Sequence, residues 1–216
     1  MKLLLVNPNT STFVTERMAA AARASLGAAA EVVGVTATEG PSIVADRAGN
    51  ARAAQSTLAL GLAQAEGFDA VIVGISTDAG LDALRPALRV PVVGMLEAAL
   101  ITACQRGERV GLMTLGPQML PLYQERAAAL GFGARMAGWA APVLPAAYGP
   151  APDDSVYEAL ADHAAALVAE SRLDVLVLCG AVLAGSRPRI ARHLRVPVVD
   201  ALEAAAWQAV ALARQA

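Results

Sequence analysis

Only two cysteines, Cys104 and Cys179, occur among 216 residues. That is too few for a disulfide framework, and a cytoplasmic chain keeps such residues as thiols. Charge is also sparse, at 17% of residues against 56% hydrophobic, a balance that excludes intrinsic disorder. The formal net charge is −2 and Lys and Arg form no cluster, so no nucleic-acid partner is expected. Long apolar runs are missing. Met1-Lys2 is followed by only four apolar residues, Leu3 to Val6, before Asn7, whereas a secretory core needs roughly 7–15. The longest stretch without a charge, Met136 to Pro152, is interrupted by Pro142, Pro145, Pro150 and Pro152, which rules out a membrane helix there. No Gly-x-Gly-x-x-Gly or Walker-type loop is present, and His163 and His193 stand alone without ligand spacing. Neither a nucleotide nor a metal is expected. The expectation is a cytoplasmic protein with a small-molecule partner and no membrane partner.

What is present is a repeat. Leu88-Arg-Val-Pro-Val-Val-Gly-Met-Leu-Glu-Ala-Ala99 recurs 106 positions later as Leu194-Arg-Val-Pro-Val-Val-Asp-Ala-Leu-Glu-Ala-Ala205. Asp69 to Gly74 is mirrored by Asp174 to Cys179, and Lys2 to Asn7 by Arg109 to Thr114, at nearly the same spacing. Each half alternates short apolar runs with helical stretches. Strands are expected at Leu3–Val6, Glu31–Val35, Ala70–Gly74 and Pro91–Val93, then at Val110–Met113, Arg135–Trp139, Val175–Leu178 and Pro197–Val199. This alternation predicts an α/β fold of two pseudo-symmetric lobes, each a four-stranded parallel sheet flanked by helices. The expected division is 1–97 plus 200–216 for the N-terminal lobe and 98–199 for the C-terminal lobe, with the helices after each Val-Pro-Val-Val strand crossing between lobes.

In open parallel sheets, ligands bind beyond the carboxyl ends of the strands. Those ends carry Asn7-Pro-Asn-Thr-Ser11, Gly74-Ile-Ser-Thr-Asp78, Thr114-Leu-Gly-Pro117 and Cys179-Gly-Ala181. Small polar and glycine residues where helices begin suit ordinary caps and turns. They equally suit a carboxylate held by backbone N–H groups. Four such segments at equivalent points of a duplicated sheet favour a site between the lobes. Asn7, Asn9, Thr10, Gly74, Ile75, Thr114, Gly116 and Gly180 are the candidate substrate-binding residues.

The Asn7-Pro-Asn-Thr-Ser11 segment resembles the opening signature of hydantoin and allantoin racemases. Glu39-Gly-Pro-Ser42, Asp78-Ala-Gly-Leu81, Thr114-Leu-Gly-Pro117 and Val196-Pro-Val-Val-Asp200 are similar to the same aspartate/glutamate/hydantoin racemase superfamily. The resemblance implies an isomerase that uses neither pyridoxal phosphate nor metal and acts at the Cα next to a carboxylate or carbonyl. It also implies two cysteines facing each other across the substrate, one removing the proton and one returning it. Such chemistry needs a thiolate, with a pKa lowered from its usual value near 8.5, and donors aimed at the developing enolate.

This chain departs from that pattern. Ile75 or Gly74, depending on the alignment, stands where the first cysteine belongs. The second cysteine normally follows a glycine, whereas here Leu178-Cys-Gly180 reverses the order. Cys179 is nevertheless the expected acid, with the hydroxyls of Ser76 and Thr77 as weaker catalytic candidates and a buried structural thiol as the plain alternative. The order Cys179-Gly180 opposite Gly74 also resembles the related arylmalonate decarboxylases, which keep one cysteine. Three readings stay open: a racemase, a one-thiol lyase, and a catalytically silent carboxylate-binding homologue. The apolar composition also allows a homo-oligomer. If a site exists, Asn7, Ser76, Thr114 and Cys179 converge on one cleft, Cys179→Ala abolishes turnover without unfolding the chain, and a cysteine at 74 or 75 raises racemisation.

Overall fold

The computed structural model describes residues 1–149 and 152–215; Pro150, one of the prolines of the uncharged stretch, lies outside them. The first lobe contains β1 (Lys2–Asn7), α1 (Thr12–Leu26), β2 (Glu31–Thr36), α2 (Arg47–Gln64), β3 (Ala70–Val73), α3 (Leu81–Leu84) and β4 (Val92–Gly94). Helix α4 (Met95–Cys104) follows. The second lobe repeats the plan with β5 (Val110–Met113), α5 (Leu120–Ala129), β6 (Met136–Ala140), α6 (Asp154–Ser171), β7 (Val175–Leu178), α7 (Arg187–Ala191) and β8 (Val198–Asp200), and α8 (Ala201–Ala213) closes the chain. Both sheets are parallel throughout. Their orders, β2-β1-β3-β4 and β6-β5-β7-β8, are the same pattern written twice. The last strand of each lobe begins one residue later than the sequence suggests. Pro91 and Pro197 have no N–H for the ladder, although their carbonyls accept from Val71 and Leu176 at 2.9 and 3.0 Å.

Side-chain alternation along the strands divides the interior into three cores. Leu3, Leu5, Ala70 and Ile72 of the first sheet share one buried cluster with Val110, Leu112, Val175 and Val177 of the second. Leu4, Val6, Val71 and Val73 face outward beneath α2 and α3, while Met113, Leu176 and Leu178 face outward beneath α6 and α7. The strands are therefore buried on both faces, which is why they read as unbroken apolar runs.

Helices α4 and α8 fill the space between the sheets and pack on each other. Helix α4 also lies against α5, β5, β7 and β8, whereas α8 crosses back onto α1, β3 and β4. Ala98, Ala99 and Ala103 of α4 and Ala201, Ala204, Ala205, Ala206 and Ala209 of α8 are buried, and such small side chains let helices approach closely. Gln208 Nε2 on α8 donates to the carbonyl of Ala98 at 2.9 Å.

A buried carboxylate sits at the start of each of these two helices. Asp200 accepts from the N–H groups of Leu202 and Glu203 through Oδ1 and of Gly185 through Oδ2, at 2.9, 3.2 and 3.0 Å. In the first lobe the repeat places Gly94 where Asp200 stands. The equivalent amides, Leu96 and Glu97, instead donate to Asp78 of the β3–α3 loop at 2.9 and 2.8 Å. A Cβ at Gly94 would lie 2.5 Å from Asp78 Cγ, so the glycine makes room for a carboxylate arriving from elsewhere in the chain. Gly94→Ala must displace that carboxylate or strain α4. The expected outcome is a loss of about 1–3 kcal/mol in unfolding free energy, the range for overpacking a filled interior, measured by urea denaturation. Unchanged stability would show that the carboxylate has slack.

Candidate active site

The carboxyl ends of both sheets open on one cleft. Asn9, Ser42, Val44 and the segment Gly74 to Thr77 line it from the loops after β1, β2 and β3. Thr114, Leu115, Tyr148, Gly180, Ala181 and Val182 line it from the loops after β5, β6 and β7, and Val14, Met119 and Tyr123 complete the wall. No charged side chain lines the cleft among the described residues.

Hydroxyls meet across the lobes at the floor. Ser76 Oγ and Tyr123 OH are 2.6 Å apart, and Thr114 Oγ1 donates to the same phenol at 3.3 Å. Burial pushes the Tyr123 phenol well above its usual range, so it remains protonated and available as a donor. Thr77 Oγ1 donates to Asn50 Oδ1 at 2.6 Å, which spends its proton inside the protein. The backbone N–H groups of Ser76, Thr77, Gly180 and Ala181 make no hydrogen bond among the described residues, as is usual at the starts of helical turns.

Asn9 is held in one orientation. Its Oδ1 accepts from Asn7 Nδ2 at 3.0 Å and from the N–H of Ser11 at 2.9 Å, and the residue forms part of the cleft wall. Asn7, fully buried, also donates to Thr15 Oγ1 at 2.8 Å. It therefore lies behind the lining and orients Asn9. Thr10 ties two loops together by donating its N–H to the carbonyl of Pro41 at 3.1 Å, and Gly116 turns the chain with φ 78°. Neither is among the lining residues.

Cys179 also lies behind the cleft. The N–H of Cys179 donates to the carbonyl of Met113 at 2.9 Å, as that of Gly74 does to Val6 at 2.7 Å, so the two residues are structural equivalents at the ends of their strands. The Cys179 side chain continues the Val175, Val177 row into the shared core and is fully buried. Gly180, with φ 140°, is the residue on the cleft wall. Burial first, and then the neighbouring charges of Asp78 and Asp200, push the thiol well above its ordinary value. This is opposite to the lowering that a thiolate base requires. Of the four residues expected to converge, Ser76 and Thr114 thus reach the cleft while Asn7 and Cys179 stand immediately behind it. A cysteine at Gly74 would force the local backbone to shift, since its Cβ would meet the carbonyl oxygen of Val6 at 2.7 Å. Position 75 remains available.

Tyr123, Asn50 and Tyr148 are absent from the sequence-based candidates. The available signal for Tyr123 was its place one turn into the helix that follows the Thr114 strand end. Spacing alone does not show that this turn leans toward the other lobe.

The family profile described as Asp/Glu/hydantoin racemase matches residues 3–209. The chain belongs to that family. A hydantoin racemase of Paenarthrobacter aurescens is 27% identical over 207 residues, covering 95% of this chain and 88% of the relative. An allantoin racemase structure from Pseudomonas fluorescens is 31% identical and superposes with a TM-score of 0.92, covering 100% of this chain and 92% of that one. An arylmalonate decarboxylase structure covers 99% of this chain and 92% of its own at a TM-score of 0.68 and 22% identity, a likeness of fold alone. This racemase-family chain is an enzyme of the isomerase class.

The Asp78 carboxyl is raised to about 7, chiefly by burial, against the opposing pull of the Glu97 and Leu96 amides and of Arg126. Asp200 is raised to about 6, again chiefly by burial. A carboxyl that binds its proton more tightly when folded contributes stability that is complete below its ordinary value of 3.8 and is lost as pH rises through about 7. The stability advantage of the unmodified protein over Asp78→Asn should therefore shrink as pH rises from 4 to 8, when measured by urea unfolding at each pH. An advantage that grows with pH would mean that the helix start and Arg126 outweigh burial.

Proposed function

We propose that the cleft binds a neutral cyclic amide of hydantoin type and moves the proton on the ring carbon next to the carbonyl. The observation that carries this reading is a cleft with hydrogen-bond donors from both lobes and, among the described residues, no charged lining side chain. An amino-acid zwitterion would bring an ammonium and a carboxylate into a site with no counter-charge, which costs several kcal/mol per ion. A hydantoin ring presents carbonyl acceptors instead. Removing its ring proton gives an enolate whose negative oxygen suits the Tyr123 and Ser76 hydroxyls, the Asn9 amide and the strand-end N–H groups. The hydantoin and allantoin racemase relatives support the same substrate class. In deuterated water, a 5-substituted hydantoin should exchange its ring hydrogen faster with the protein than without it, read by NMR. Tyr123→Phe and Ser76→Ala should each slow that exchange by roughly 100-fold, the usual loss for one oxyanion donor. Exchange no faster than background, with calorimetry showing that the hydantoin binds, would favour a silent binding homologue.

Cys179 is our proposed proton carrier, a role that requires its side chain to turn from the core past Gly180 into the cleft: the thiolate takes the ring proton and the resulting thiol returns it. Burial favours the thiol over the thiolate, and Ile75 on the opposite wall carries no proton. Those two features favour delivery to a single face, which also supports the second reading, a lyase that protonates an enolate formed by loss of CO₂. Cys179→Ala should abolish deuterium delivery while thermal unfolding stays within a few degrees of the unmodified protein. Ile75→Cys should raise inversion, followed by chiral chromatography, by supplying a second proton carrier. Retained delivery in Cys179→Ala would move the chemistry to the Ser76–Tyr123 pair.

The remaining assignments are also ours. Residues 1–97 with 200–216 form one lobe and 98–199 the other, supported by the crossed packing of α4 and α8. A cytoplasmic setting fits two free thiols. Exposed Ile101, Trp207 and Leu212 on the outer faces of α4 and α8 support self-association.

A further inference from the structure

Helix α5 belongs to the second lobe, yet three contacts within about one turn of it tie it to the first. Tyr123 meets Ser76, Glu125 accepts from both terminal guanidinium nitrogens of Arg47, and Arg126 forks onto Asp82 of α3 at 2.6 and 2.9 Å. These contacts differ in kind. Arg47 and Glu125 are more than half exposed, whereas the Arg126 side chain is only 16% exposed. Arg126 Nε is buried without a hydrogen-bond partner among the described residues and lies 3.9 Å from Asp78 Oδ2. A surface pair with the exposed Asp82 alone would leave the buried Nε donor uncompensated. The field of Asp78 offsets that cost.

Asp78 closes the turn that carries Ser76. Its N–H donates to the carbonyl of Ile75 at 3.0 Å, its backbone is held at φ 58°, and its carboxylate is fixed at the start of α4. Tyr123 and Arg126 are three residues apart on one helix and so lie on one face. Arg126 is thus the one side chain on α5 that faces both the Ser76 turn, through Asp78, and the α3 anchor, through Asp82.

We propose that Arg126 is a positioning residue: it holds the Asp78 turn and α5 together and so sets the Ser76–Tyr123 hydrogen bond across the cleft floor. Its effect on turnover rests on the function proposed above, but its effect on Tyr123 does not. The test therefore has two readouts. The protein is labelled with 3-fluorotyrosine, and the Tyr123 resonance is assigned by its absence from Tyr123→Phe among the three tyrosines of the chain. In Arg126→Gln this fluorine resonance should shift or broaden. Exchange of a 5-substituted hydantoin should lose roughly tenfold to a hundredfold in kcat with little change in KM, the scale expected when a group is misplaced by about 1 Å. Arg126→Lys, which keeps a cation near Asp78, should restore part of both signals. Arg47→Gln, which removes the exposed pair on the same helix, should move neither. If Arg126→Gln does not fold, Asp82→Asn decides by removing the anchor while leaving Arg126 in place, with a smaller shift in the same direction expected. An unchanged Tyr123 resonance in the folded variant, or an equal shift in Arg47→Gln, overturns the proposal. Absence of turnover in the unmodified protein would count against the hydantoin reading alone, leaving the fluorine signal to judge Arg126.

Discussion

Buried carboxylates at the starts of α4 and α8 hold this architecture together. An ionisable group removed from water costs several kcal/mol unless hydrogen bonds replace its hydration, and a helix start provides oriented N–H groups and a favourable dipole. Both halves of the molecule meet that requirement at equivalent amides, but the carboxylate reaches them by different routes. Asp200 belongs to the strand that leads into its helix and ties back Gly185 in the neighbouring loop. Asp78 comes from the neighbouring loop itself and fills the space above Gly94. In either lobe the same atoms join a helix that crosses between lobes to a loop at the edge of the cleft. The position of Ser76 and the packing of α4 are therefore not independent.

The cleft gains its character from what stands in front and what stands behind. Hydroxyl, amide and backbone donors form the surface, while both titratable carboxyls and the Cys179 thiol are set one layer deeper, within the packed interior. Donors of this kind stabilise a developing oxyanion because they are already oriented and bring no ions that must be desolvated. The Tyr123 phenol links the layers: it touches Ser76 of one lobe and Thr114 of its own, and its burial keeps it protonated.

Much of this was readable before folding because duplication and burial leave strong periodic marks. Unbroken apolar runs announced the strands, the repeat announced two lobes, and the polar residues at strand ends located the cleft, with Asn9, Gly74, Ile75, Ser76, Thr77, Thr114 and Gly180 on its wall. The prolines at 91 and 197 displaced two strands by a single residue, a local effect of a missing N–H.

The amino-acid sequence by itself determined the α/β class, the pairing of halves and the family, since each depends on periodicity or on residues adjacent in the chain. Only the tertiary structure decided which of Cys179 and Gly180 faces the cleft. Side chains alternate along a strand, and a one-residue difference in where the strand ends exchanges core for surface. It also decided that Tyr123 reaches Ser76 and that Asp78 caps a helix 18 residues further along the chain. Those contacts arise from the relative placement of two lobes, a long-range packing outcome that no local spacing encodes.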